Sequence, residues 1–337
     1  MRLKLLAAVV LLALTLSGCG VNREADRQYT VSALGFDCAQ GRLLCSAEVL
    51  VVNSESSDRE IATEVFTAAG STPAECVYDL GTLLAKRLLL SHCGIIAVGD
   101  SIGAADLKQI IDYCVDEEQI SLSAYLVSTP DAAALLSGKT EAALTIGYEL
   151  MGFLDRAAED TGVMYGSRIY EIAGARLKKT AVYLMPRFTV SDEQRRLEGT
   201  CVYLDDKRTL EMDTADTVVY SLVRNMNRGG RVAAEGYIYN VEKPHTYFET
   251  EIKGGGIRVS LDIRLGDRSG DRYLAQWIIK RAEYLKKCSG GADIFGLADR
   301  IYAENGEVWR EIKQNPELLA AADTKITCEM GNSKNGS

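Results

Sequence analysis

The chain has 337 residues, 47% of them hydrophobic, and a formal net charge of −9. Acidic charge does not suit binding to nucleic acid or to an anionic lipid surface. The length allows two or three domains or one large one, and without low-complexity stretches the chain reads as a folded body.

Arg2 and Lys4 precede an apolar run from Leu5 to Leu16, and Leu16-Ser17-Gly18-Cys19 closes it. The pattern is a secretory signal with a cysteine just past a small-residue cleavage site. It resembles the bacterial lipobox, in which that cysteine is acylated and becomes the mature N-terminus. The run is too short to span a bilayer and stay there. Residues 1–18 are therefore read as a lipoprotein signal peptide and 19–28 as lipidated Cys19 and a tether. Acyl chains then anchor the body to a membrane on its extracytoplasmic face, since a basic patch is lacking.

Residues 29–140 read as an N-terminal α/β domain with a mixed sheet. Tyr29–Asp37 and Leu43–Val52 are β-rich around Ala39-Gln40-Gly41, a hairpin pattern. Thr72-Pro73-Ala74-Glu75 is a helix start with cap, first-position proline and capping-box glutamate. His92–Val98 reads as a strand, Leu107–Cys114 as a helix and Leu122–Val127 as a second strand. Together they make a parallel unit. Pro130-Asp131 opens a short helix that stops at Gly138.

Residues 141–180 read as a connecting helical subdomain, with helices over Ala142–Ala157 and Ile169–Leu177. Residues 181–330 read as a C-terminal domain of antiparallel sheet plus helices, which makes the whole a multidomain α+β chain. Its expected elements are a strand over Leu197–Leu204 turning at Asp205-Asp206, and a helix over Thr217–Met226 ended by Gly229-Gly230. Strands over Val232–Val241, Tyr247–Lys253 and Ile257–Leu265 follow. In the last, Ile257, Val259, Leu261, Ile263 and Leu265 alternate with polar residues, so one face is buried and one is wet. A long amphipathic helix carries Leu274, Trp277, Ile278, Ala282 and Leu285. Helices near Ile294–Tyr302 and Trp309 come next, then a strand over Thr324–Met330 and a polar tail over 331–337.

Local signals for chemistry are weak. Of the two histidines, His92 neighbours Cys93, but adjacent strand residues point to opposite faces. A packing role is expected for His92 and surface exposure for His245. Ser137-Gly138-Lys139-Thr140 suggests a phosphate loop, but the required earlier glycine is Ala133, and a helix rather than a strand leads in. Cys38, Cys45, Cys76, Cys93, Cys114, Cys201, Cys288 and Cys328 contain no CxxC pair, and buried free thiols are expected. No catalytic, cofactor or metal residues are assigned. Tyr237, Tyr239, Tyr247 and Phe248 read as cross-strand packing, with an exposed stripe for a partner as the alternative.

In order along the chain, these segments resemble the Ger(x)C family, the C-subunit lipoproteins of nutrient germinant receptors in endospore-forming bacteria. The resemblance rests on Cys19, Arg23-Glu24, Ala33-Leu34-Gly35-Phe36-Asp37, the run Lys86–His92 with Cys93–Gly99, and Leu122–Val127. It continues in Gly199–Lys207, Asp293-Ile294-Phe295-Gly296, Trp309 and Thr324–Met330. Two departures are Gly20-Val21, where the family often has Trp-Asp, and a shorter middle over 141–180. The resemblance implies a non-enzymatic subunit of a spore germinant receptor, needed for nutrient-triggered germination. It would sit on the outer leaflet of the spore inner membrane as a scaffold for integral-membrane A and B subunits. Direct binding of a small-molecule germinant is the alternative.

Overall fold

The computed structural model describes residues 28–53, 60–84, 86–138, 140, 143–192, 194–267 and 272–332. Cys19 and the expected signal segment lie outside them, as does all of the expected tether but residue 28. The fold is α+β, with a large mixed sheet, a second smaller sheet, and helices on both faces of the first.

The large sheet begins with a hairpin, β1 (Gln28–Ala39) and β2 (Arg42–Asn53), extended by β3 (Glu60–Gly70). Gln40 and Gly41 both have positive φ (51° and 75°), the conformation that a two-residue turn between right-twisted strands requires. Helix α1 (Pro73–Leu83) starts as its sequence predicts. Thr72 Oγ1 accepts the Glu75 N–H, and the Glu75 carboxylate accepts the Ser71 N–H at 2.6 Å.

Next come short β4 (Arg87–Leu89), β5 (Ile95–Gly99), α2 (Ala104–Asp116) and β6 (Tyr125–Thr129). β1, β5 and β6 are mutually parallel neighbours, the expected β-α-β arrangement. Leu90–His92 is a 3-10 turn, so the expected strand begins three residues later than its apolar pattern suggested. All five residues of β5 are buried, as a strand covered on both faces requires.

Helix α3 (Ala132–Leu136) is capped by Asp131 and followed by Gly138 at φ 91°, which satisfies the expected stop. Helices α4 (Ile146–Thr161) and α5 (Ile169–Arg176) occupy the expected helical middle, but they do not form a unit of their own. Ile146, Leu150 and Leu154 of α4 pack with α3 on one face of the sheet. Ile169 and Ile172 of α5 pack with α1 and α2 on the other.

The first sheet does not end at the boundary expected near Thr180. β7 (Val182–Ser191), β8 (Gln194–Leu204) and β9 (Lys207–Asp213) continue the first sheet beyond β6, giving the order β3-β2-β1-β5-β6-β7-β8-β9 with β4 beside β1. Local sequence cannot show which sheet a strand joins, because that choice is made by partners far away in the chain. The Asp205-Asp206 turn stands as read, both residues having positive φ.

Helix α6 (Thr214–Val223) is the hinge of the architecture. Every residue from Asp216 to Val223 is buried, as expected of a helix enclosed on all sides. It lies against β8 and β9 on one side, and against the second sheet and α7 (Arg272–Cys288) on the other. Fully buried Tyr220 donates its hydroxyl to the Ile294 carbonyl at 2.6 Å.

The second sheet has the order β10 (Gly229–Ala234), β11 (Tyr237–Lys253), β12 (Gly256–Asp267), β13 (Asp323–Asn332). The strand expected over Val232–Val241 is two strands, broken at Glu235-Gly236 where both φ values are positive. β10 to β12 are antiparallel, but β13 runs parallel to β12, so the sheet is mixed rather than purely antiparallel. The cause is the excursion through α7, α8 (Leu297–Glu304), α9 (Gly306–Gln314) and α10 (Glu317–Ala320), which returns the chain to the starting end of β12. The alternation in β12 is realised, with Ile257, Val259, Leu261, Ile263 and Leu265 all buried. The outward face carries Arg258 paired with Glu251 and Asp323, and Arg264 paired with Asp262.

Candidate functional site

Cys19, the one residue to which the sequence assigns a chemical role, lies outside the described residues. Three carboxylates, one buried and two partly buried, each close the start of a helix, Glu48 and Asp37 from far away in the chain and Asp293 from four residues upstream. Glu48 on β2 is wholly buried. Its oxygens accept the Ile146 N–H at 2.7 Å, the Gly147 N–H at 2.9 Å and the Ser32 hydroxyl. Thr145 takes the Tyr148 N–H, so the first turn of α4 is satisfied. A Cβ on Gly147 would lie 2.6 Å from the Ser32 carbonyl oxygen, so only glycine lets the helix approach β1 this closely.

Asp37 accepts the Ala132 and Ala133 N–H groups of α3. Gly35 leaves room for Ala132 beside it. The Leu34-Gly35-Phe36-Asp37 stretch is thus a seat for α3. Asp293 accepts the Leu297 and Ala298 N–H groups at 2.7 and 2.8 Å and the Thr180 hydroxyl at 3.3 Å. Burial pushes the carboxyls of Asp37 and Asp293 above the usual range, against the pull of these hydrogen bonds.

At the C-terminal ends of β5 and β6, where open α/β sheets often bind ligands, a charge cluster fills the space. Arg187 grips Asp100 with two 2.8 Å bonds, reaches Glu211 at 3.1 Å and donates to Ser128 Oγ. Arg208 also pairs with Asp100. Burial raises the Asp100 carboxyl, but the two arginines outweigh it and hold it below the usual range.

A more open cleft of about 450 Å³ lies between α4, β8 and the start of α6. Phe153, Val163, Tyr165, Leu197 and Val218 line it, with Arg156 and Arg196 among its polar groups. Apolar walls with a few polar groups are what a small-molecule site needs.

The cysteines Cys45, Cys76, Cys93, Cys114 and Cys201 are buried, Cys38 and Cys328 partly so, and Cys288 is exposed; all eight are free. Burial raises the Cys45, Cys114 and Cys201 thiols and pushes Cys93 up to about 12, which keeps them protonated and unreactive. His92 is exposed at the end of the 3-10 turn rather than packed. His245 is exposed and meets Tyr247 edge-on at 4.6 Å. Tyr237 and Ile238 are about 70% exposed, at 69% and 70%, at the tip of the β10–β11 hairpin, so the aromatic residues there are not all cross-strand packing. No group of three or more His, Cys, Asp or Glu among the described residues is placed to hold a metal. No helix among them is long and apolar enough to cross a membrane.

The family model described as the spore germination protein N-terminal domain matches residues 22–190, which run from before β1 into β7. The chain belongs to this family of spore germination proteins, the Ger(x)C type that forms the C subunit of germinant receptors. Among solved structures, the chain is similar to the crystal structure of the GerBC protein, with 14% identity and a TM-score of 0.49 over 90% of this chain and 97% of that one. No curated protein matches it.

Proposed function

We propose that the protein is a lipid-anchored, non-enzymatic subunit of a spore nutrient germinant receptor, held by acylated Cys19 on the outer leaflet of the spore inner membrane. There it serves as a scaffold for the integral-membrane A and B subunits and is needed for nutrient-triggered germination. The observation that carries the reading is the conjunction of the family match over residues 22–190 with a signal segment ending in Ser17-Gly18-Cys19. The buried polar groups support a non-catalytic role. Glu48, Asp37 and Asp293 are spent on helix starts, and Arg187, Asp100 and Glu211 on one another.

The test is affinity capture of the acylated protein from detergent-solubilised spore inner membrane. Both receptor subunits should co-purify, and Cys19→Ser should release the protein from the membrane fraction and abolish nutrient germination. Capture of the lipoprotein alone, under detergents that keep membrane complexes intact, would sink the scaffold reading. The cleft beside α4 favours a second reading, direct binding of a small germinant. In that case one member of a nutrient panel should raise the melting temperature, and Leu197→Trp should remove the shift.

A further inference from the structure

A second cavity, of about 630 Å³, lies where the 177–180 linker meets the C-terminal helices. Its walls carry four cationic side chains, Lys178, Lys179, Arg224 and Arg300, against two carboxylates, Asp299 and Glu304. That balance is the reverse of the chain's net charge of −9. Neither carboxylate forms an ion pair with these cations among the described residues. Asp299 is taken by the backbone, accepting the Lys179 N–H at 2.8 Å and the Thr180 N–H at 3.3 Å. Neither Arg224 nor Arg300 forms an ion pair with a carboxylate among the described residues. Arg187, by contrast, is paired with Asp100 and Glu211.

Both guanidiniums are instead positioned by neutral groups. Arg224 donates Nη1 to the Tyr220 hydroxyl at 3.0 Å and lies over that ring. Arg300 donates Nη2 to the Thr246 carbonyl at 3.3 Å and lies 4.8 Å over the Phe248 ring. Each guanidinium carries five N–H donors in a planar fork, so most remain unspent. Burial lowers the Arg300 pKa, Glu304 restores part of that, and its neighbour Arg224 lowers it again by less. Asp293 near Arg224 is spent on the Leu297 and Ala298 N–H groups and Glu304 makes no ion-pair contact with Arg300, so two neighbouring cations on aromatic and carbonyl supports are arranged for an anion to bind directly.

We propose that this cavity is a binding site for a small oxyanion, a carboxylate- or phosphate-bearing molecule gripped between Arg224 and Arg300. Lys178 and Lys179 form its cationic rim. Its volume falls within the range of small-molecule sites. The flanking Phe295 and Tyr302 offer apolar contact to an organic body. The site is separate from the cleft beside α4 and does not depend on the receptor reading.

The test is titration calorimetry and thermal shift on the full chain in detergent, with inorganic phosphate, citrate and acetate as probes and sodium chloride at matched ionic strength as control. Phosphate or citrate should bind and raise the melting temperature where chloride does not. Saturation by phosphate alone assigns phosphoryl chemistry, and by citrate alone assigns carboxylate chemistry. Arg300→Gln should weaken binding tenfold or more. The exposed rim variant Lys178→Glu, which leaves the packing untouched, should weaken it several-fold, so the site remains testable if Arg300→Gln destabilises the fold. No binding by any probe at 10 mM, on the order of the weakest useful site affinities, overturns the proposal. So does binding unchanged in Lys178→Glu and Arg300→Gln.

Discussion

The two sheets solve the same burial problem differently. The first is covered by helices on both faces, and its central strand β5 is buried at every position. The second buries one face and leaves the other to a charged ladder of Arg258, Glu251, Asp262 and Arg264. Polar groups are consequently dangerous in the first sheet and inexpensive in the second. A carboxylate such as Glu48 survives inside only because a helix start supplies it with two N–H groups. Outward acids of the second sheet are solvated whether paired or not.

That contrast can be broken at its strongest point. Glu48→Ala leaves the Ile146 and Gly147 N–H groups buried without their partner and the Ser32 hydroxyl with only the Glu48 carbonyl at 3.4 Å. It should cost about 4 kcal/mol in urea unfolding, from ~1–3 kcal/mol for each orphaned group less some relaxation. A loss under about 1 kcal/mol would mean that water reaches the site. Leu261→Ala in the core face of β12 should cost about 3 kcal/mol. If α6 truly joins the two sheets, this variant should shift one cooperative transition instead of splitting off a second. Two calorimetric transitions would show the sheets to be independent units.

Asp100→Asn addresses the charge cluster of the first sheet. The folded pKa of Asp100 is lowered, so its stabilisation is present above the unfolded value near 3.8 and is lost as pH falls through the folded one. The variant should lose less than about 1 kcal/mol at pH 7, allowing for the partial exposure of the group. It should also show a shallower acid limb below about pH 4 than the parent. An unchanged acid limb would exclude the pair from acid unfolding. The smallest effect belongs to the wet face of the second sheet, where Arg258→Ala should stay within about 0.5 kcal/mol despite two ion pairs.

Particular elements show how far local sequence reaches. Thr72-Pro73-Ala74-Glu75 starts α1 and the alternation of β12 faces its core, because caps and two-residue periods are decided by neighbours in sequence. β3, β7 and β9 were not legible. Glu60–Gly70 and Lys207–Asp213 are edge strands with little apolar patterning, and β7 holds Pro186 and Arg187, which read against a buried strand. Pro186 is tolerated beside a register shift, and Arg187 because Asp100, 87 residues away, meets it. The family itself was readable from segment order, while the arginine pair of the 630 Å³ cavity was not, because Arg224 and Arg300 lie on helices that meet only through folding.

The sequence by itself determined the family, most helices and hairpin turns, and the inward face of β12. These depend on short-range sterics, capping and periodicity. Tertiary structure alone decided that residues 182–213 extend the first sheet, that β13 lies parallel to β12, and that α4 and α5 sit on opposite faces. It also decided that Glu48 and Asp37 become helix caps. Those outcomes depend on which distant groups come to share one buried space, where an unpaired charge or N–H is too costly to leave alone.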